Sequence, residues 1–201
     1  MDNYSDEQLV ARYLKGEQKA LEILIARYLK PVYGFVFRYV GNAAEAEDIV
    51  QEVFFRAWRN IKKFNPRKSH FTNLRERQQK SFKTWLFTIT KNASLDFLKK
   101  KKTVLFSDFD NEDAGNVIVD SLADPAPLPS DIFERKDLTD VLESALGRLS
   151  PDYRSVIILH HDSGLTFQEI ADISGEPLNT VKSRYRRALI NLRGIIMDFA
   201  E

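Results

Sequence analysis

Apolar residues recur at intervals of three and four along most of the chain, and no stretch sustains the alternation of a half-buried strand. Ser5 with Gln8 matches a capping box and opens a first helix predicted to end at Gly16. Ala20, Leu21, Leu24, Ile25, Tyr28 and Leu29 share one side of a longer second helix, which Pro31 is expected to bend or break before Gly41-Asn42 closes it. A third helix, Ala43 to about Lys63, turns Ile49, Val50, Val53, Phe54, Ala57, Trp58 and Ile61 inward. A fourth, about Ser81 to Lys101, buries Phe82, Trp85, Leu86, Ile89, Ala93 and Phe97. The pattern predicts a helical bundle. Core packing is the ordinary role for Trp58 and Trp85, with base stacking as the alternative.

Near the C-terminus, Leu165 to Arg193 reads as two short helices around a turn. Phe167, Ile170, Ala171 and Ile173 make the face of the first, Gly175 supplies the turn, and Pro177 suits the first position of the next helix. Leu178, Val181, Ala188, Leu189 and Leu192 are predicted to be buried there, leaving Asn179, Thr180, Lys182, Ser183, Arg184, Arg186 and Arg187 able to face outward. Guanidinium forks, hydroxyls and an amide on the N-terminal half of such a helix suit reading of the DNA major groove. A solvated basic face on a three-helix bundle is the competing reading.

The net charge of +1 hides a block pattern. From Lys62 to Lys102 thirteen Lys or Arg face two acids, Glu76 and Asp96; from Thr103 to Glu134 there are eight acids and no Lys or Arg. Such asymmetry points to separate surfaces for separate partners. The acidic stretch contains Pro125, Pro127 and Pro129, which favour extended chain, so it reads as a linker between two helical domains or as an inert tether. The expected fold is therefore all-α: a helical domain over 1–103, an extended acidic linker over 104–135, and a helix-turn-helix domain over 136–201. On the fourth helix Lys83, Lys91, Asn92 and Lys99 to Lys102 cannot all be buried, because unpaired buried charge is prohibitive. They suit a nucleic-acid backbone and an unstacked base, or are simply a solvated face.

No apolar run reaches the roughly 18 residues of a membrane span, no signal-peptide pattern opens the chain, and there are no cysteines. A soluble, cytoplasmic chain is expected. His160-His161-Asp162 is the one His-rich spot; with His70 as the sole other histidine and no Gly-rich phosphate loop, an enzyme is not the expected reading. No catalytic residue, metal site, cofactor or small-molecule substrate is expected. A free-standing helix-turn-helix regulator remains a rival, although no heptad dimerisation helix is visible.

The string Ala46-Glu47-Asp48-Ile49-Val50-Gln51-Glu52-Val53-Phe54-Phe55-Arg56-Ala57-Trp58 resembles the core-binding helix of bacterial sigma factors. Ser81-Phe82-Lys83-Thr84-Trp85-Leu86-Phe87, with Asn92 and Asp96-Phe97-Leu98, resembles the next helix of the extracytoplasmic-function group. Leu149-Ser150-Pro151, Tyr153-Arg154, Leu165-Thr166 and Thr180-Val181-Lys182-Ser183-Arg184 resemble that group's fourth region. The resemblance spans nearly the whole chain, in order, and implies a factor that binds core RNA polymerase and directs it to promoter DNA. It implies polymerase contacts at Asp48, Gln51, Glu52 and Phe55, and contacts to the −10 element at Phe64, Lys91, Asn92 and Asp96. Arg67, Lys68 and Lys83 join the −10 set as neighbouring basic positions, while Thr180, Lys182, Ser183, Arg184, Arg186 and Arg187 are implied to read the −35 element. The linker is implied to thread the active-site cleft and RNA exit path. An anti-sigma partner is left open. The loop between Phe64 and Ser81 is longer than the family's usual connection and carries Arg67, Lys68, Arg75, Arg77 and Lys80, and Asn179 stands where many relatives have Gly.

Overall fold

The computed structural model describes residues 4–64, 81–107 and 135–199. Eight α-helices account for nearly all of them: α1 (Asp6–Leu14), α2 (Gln18–Val40), α3 (Ala43–Asn60), α4 (Phe82–Ser107), α5 (Arg135–Arg148), α6 (Pro151–His161), α7 (Phe167–Ser174) and α8 (Leu178–Asp198). A single 3-10 turn, Ile61–Lys63, extends α3. Among the described residues there is no strand. The long basic loop 65–80, with Arg67 and Lys68, and linker residues 108–134 lie outside this set.

Helix starts follow local chemistry. The Ser5 hydroxyl accepts from the Gln8 N–H while the Gln8 side chain accepts from the Ser5 N–H, closing the expected capping box. Asn42 caps α3 by accepting from the Glu45 N–H, directly after Gly41 ends α2 in the left-handed conformation at φ 78°.

Of the two outcomes expected at Pro31, a bend or a break, the break does not occur: α2 runs from Gln18 to Val40 with the proline inside it. Tyr28 before the proline and Val32, Phe35 and Val36 after it are buried, so tertiary packing holds both halves helical. Pro31 itself is exposed, where water can satisfy the backbone bond it leaves unmade.

Helices α1–α4 pack around Leu24, Val32, Phe35, Val53, Leu86 and Phe87. Phe35 meets Phe87 edge-on at 6.0 Å and stacks on Tyr39 at 5.5 Å, joining α2 to α4. Burial of each such ring contributes roughly 1.5–3 kcal/mol. Helices α5–α8 form the second domain, with α8 lying across α5, α6 and α7. The two domains touch: α4 packs against α7, and α2 packs against α5 and α6.

Several residues of the expected apolar faces lie outside the core, Ile25 and Leu29 of α2 among them. Trp58 is 50% exposed, because its indole N–H donates to the Tyr13 hydroxyl at 2.6 Å and keeps the ring at the rim of the α1–α3 seam. Leu189 is 39% exposed, one position off the buried line of Val181, Ala188 and Leu192. Pro177 is the N-cap of α8 rather than its first helical residue.

Candidate nucleic-acid and polymerase interfaces

The C-terminal pair, α7 and α8, is built for a fixed crossing. The Thr166 hydroxyl accepts from the Glu169 N–H and the Glu169 carboxylate accepts from the Thr166 N–H at 2.8 Å, so α7 begins at a defined residue. Gly175 ends it with φ 68°, a conformation that a side chain resists. Helix α8 then buries Val181, Ala188 and Leu192. Thr180, Lys182, Ser183, Arg186 and Arg187 are exposed, as is Asn179. Arg184 differs: its guanidinium forks onto the Glu176 carboxylate, with Nη2 to Oε1 at 2.7 Å and Nη1 to Oε2, and its side chain is only 19% exposed. On the other flank the Tyr185 hydroxyl lies 2.8 Å from His161 Nε2, and its ring packs edge-on against Phe167. Residues 184 and 185 thus tie α8 to the turn before it and to α6 and α7.

Helix α4 carries the expected −10 residues, and the second domain covers part of that face. The Lys83 ammonium donates to the Ser163 carbonyl and Lys91 Nζ donates to Ser174 Oγ at 3.1 Å. Burial pushes the Lys91 ammonium below its ordinary range; Glu176 and Asp152 work in the opposite direction, while Arg184 adds to the depression. Asn92 and Asp96 remain exposed, Asp96 lying 3.7 Å from Arg56 on α3. Phe64 is 8% exposed, packed at 5.6 Å from Phe82 and 5.4 Å from Trp85. As it stands, that ring supports the start of α4 from inside the core.

On α3 the expected polymerase residues Asp48, Gln51, Glu52 and Phe55 share an exposed face. Glu52 accepts from Arg56 at 2.6 Å, one helical turn on. Phe55 is 49% exposed and lies 6.2 Å from the Trp58 ring, with Arg59 5.6 Å from its centroid. An exposed pair of large aromatic rings beside an ion pair has the composition of a docking surface.

A model of sigma-70 region 2 matches residues 24–73, and one of sigma-70 region 4 matches residues 139–192. The ECF RNA polymerase sigma factor SigW of Bacillus subtilis is 32% identical over 187 residues, covering 92% of each chain. The chain belongs to the ECF sigma factors. The ECF sigma-E factor of Escherichia coli K12 is 31% identical over 188 residues, covering 93% of this chain and 92% of its own. Two solved structures share the fold: CnrH, in complex with the cytosolic domain of CnrY (23% identity, TM-score 0.65, 96% of this chain and 97% of that one), and RpoE from Bartonella quintana, in complex with the anti-sigma factor NepR (24% identity, TM-score 0.63, 89% and 98%). The region 2 match takes in α3 and most of α2, and the region 4 match takes in the helix-turn-helix.

Sequence reasoning gave Arg154 and Arg38 no role in joining the sigma factor's two domains. Arg154 of α6 donates to the Tyr39 carbonyl at 2.7 Å, to the Leu149 carbonyl at 3.1 Å and to the Gly147 carbonyl, so one cation sits at the C-terminal ends of both α2 and α5. Burial pulls its guanidinium below its ordinary value and raises the neighbouring Tyr39 hydroxyl to about 12. Arg38 lies 3.4 Å from Asp162 across the same seam. His160 Nδ1–H donates to the Leu165 carbonyl, 2.9 Å away, and the ring stacks on Phe167 at 4.3 Å. The His-His-Asp run therefore serves packing and docking. Among the described residues no group of three His, Cys, Asp or Glu side chains could hold a metal ion, and no helix is long and apolar enough to cross a membrane.

Proposed function

We propose that this sigma factor binds core RNA polymerase through the exposed face of α3, reads the −35 element with α8, and engages and helps to melt the −10 element with α4 and the basic loop before it. The observation that carries the reading is the exposed polar face of α8, with Thr180, Lys182, Ser183, Arg186 and Arg187 presented by a helix whose start, turn and flanks are all fixed. Lys and Arg contacts to phosphate would position the domain and a few contacts to base edges would select the promoter. Asp48, Gln51 and Glu52, with Phe55 and Trp58 beside them, are the polymerase-facing set.

The docked arrangement has a mechanistic consequence. Lys83 and Lys91 cannot meet phosphate while they bond to Ser163 and Ser174. DNA engagement by α4 therefore requires the second domain to leave, and polymerase supplies two separate seats that hold the domains apart. Once both are seated, the second DNA contact is effectively intramolecular, and avidity raises affinity. Melting then traps an unpaired base, which costs a few kcal/mol and is offset by stacking and hydrogen bonds. The acidic linker is assigned to the path that nascent RNA later fills. Work in the cytoplasm, and restraint by an anti-sigma protein of the kind bound to the Bartonella quintana structure of the same fold, complete the proposal.

The test is run-off transcription on sheared genomic DNA by bacterial core polymerase with and without the factor. Discrete new starts that vanish when Asp48, Gln51 and Glu52 are all changed to Ala are the expected result. Absence of starts, together with polymerase-independent binding to a palindromic site, would assign the chain to free-standing regulation.

A further inference from the structure

We infer that Glu176 is a specificity-determining positioning residue for promoter reading: by forking onto Arg184 it withholds that guanidinium from DNA phosphates and fixes α8 against the preceding turn. The inference rests on the −35 reading above. It starts from geometry. Glu176 follows the left-handed Gly175 in the turn, and Arg184 lies eight residues on, in the second turn of α8. Both Nη atoms of Arg184 are engaged by the two carboxylate oxygens of Glu176, a planar two-bond arrangement that also specifies direction. The side chains are 19% and 29% exposed, so water screens the pair less than a fully exposed one. Both partners belong to the second domain, so the fork itself uses no residue of α4.

Charge explains why such a pair matters beside DNA. Lys182, Arg186 and Arg187 already present three exposed cations on the outward face of α8. A free fourth cation at position 184 would reach whichever phosphate lay nearest. Phosphate contacts carry no direct sequence information, so it would raise affinity for every sequence alike. Paired with Glu176, Arg184 adds no net charge to the face, and its fork is already satisfied. Discrimination is a difference of affinities, and suppressing an indiscriminate contact increases it. Tyr185, held by His161 on the opposite flank, prevents α8 from rolling to compensate.

The experiment uses full-length factor assembled with core polymerase, on a promoter mapped by run-off transcription and on versions with single base-pair changes in its −35 element. Glu176→Ala should tighten binding to the altered promoters at least threefold, narrow the matched-to-altered affinity ratio by a similar factor, and steepen the salt dependence by about one phosphate equivalent. Glu176→Asp, which keeps a carboxylate within reach, should retain most of the wild-type ratio. In the Arg184→Ala background, Glu176→Ala should change neither the ratio nor the salt slope. A purely structural role would lower thermal stability and weaken all promoters together, leaving ratio and slope untouched; that pattern overturns the inference. Persistence of the effect without Arg184 also overturns it, since Glu176 would then act on DNA directly. A wild-type holoenzyme indifferent to the −35 changes would remove the underlying reading and the inference with it.

Discussion

Arg154 of α6 donates to the main-chain carbonyl of Tyr39, 115 residues earlier, at 2.7 Å. The same guanidinium holds the carbonyls of Gly147 and Leu149, so the end of α2, the end of α5 and the start of α6 share one cation. Arg154→Ala should cost on the order of 2–3 kcal/mol, because three carbonyls lose a charged donor. In a chain of this size that is a drop in Tm of roughly 4–12 °C. Small-angle X-ray scattering of the free factor should show an increased radius of gyration. Unchanged Tm and unchanged dimensions would mean that docking does not depend on this residue.

Lys91 gives the docked state a pH dependence with a defined sign. Burial holds its ammonium below the ordinary 10.5 in the docked form, whereas a separated α4 exposes it to water. Between the two values the separated form binds more protons, so docking strengthens as pH rises toward 10.5 and weakens as pH falls through the depressed value. Docking makes the factor more compact, so its radius of gyration should fall as pH rises, and Lys91→Met, similar in length and uncharged, should flatten that fall. If the wild type and the variant gave parallel curves, Lys91 would not be the titrating group.

Phe55 and Trp58 are half-exposed beside the Glu52–Arg56 ion pair. Changing both to Ala should alter Tm only modestly, because little buried area is lost apart from the Trp58 bond to Tyr13. Affinity for core polymerase should fall more than tenfold, since large aromatic rings at an interface carry a disproportionate share of its energy. Fluorescence anisotropy of labelled factor titrated with core enzyme measures this; an affinity within twofold of wild type would exclude that face as the docking surface.

Arg187 projects from α8 without the carboxylate partner that restrains Arg184. Its substitution by Ala should weaken promoter binding evenly across sequences and reduce the salt slope by about 1. A loss concentrated on one base pair of the −35 element would instead identify Arg187 as a base reader.

The parts of the fold that are legible in sequence are those that local chemistry decides. Ser5 with Gln8 and the left-handed Gly175 appear where the one-dimensional pattern puts them. Periodicity assigns a face to the interior but does not say how far the interior reaches, so Trp58 and Leu189 appear inward and are found at the rim. Pro31 illustrates the opposite case: a strong local breaker is overruled by buried neighbours on either side. At the candidate site, residue type identifies which cations lie on α8, but only the three-dimensional turn brings Glu176 back to Arg184. No helical spacing connects Arg154 to Tyr39 or Lys91 to Ser174, because those contacts belong to the packing of one domain on another.

The bond of Lys91 to the Ser174 hydroxyl has a quantitative consequence under the proposed −10 role of α4, where the same ammonium would meet a promoter phosphate. For any factor whose binding-competent form is a minority, apparent affinity equals intrinsic affinity scaled by the fraction in that form. Every kcal/mol that favours docking therefore weakens polymerase-independent engagement of −10 DNA about fivefold, with no change in any DNA contact. Sequence changes along the α4–α7 seam can raise or lower the factor's promoter occupancy across a whole set of genes at once, while the residues that distinguish one promoter from another stay as they are.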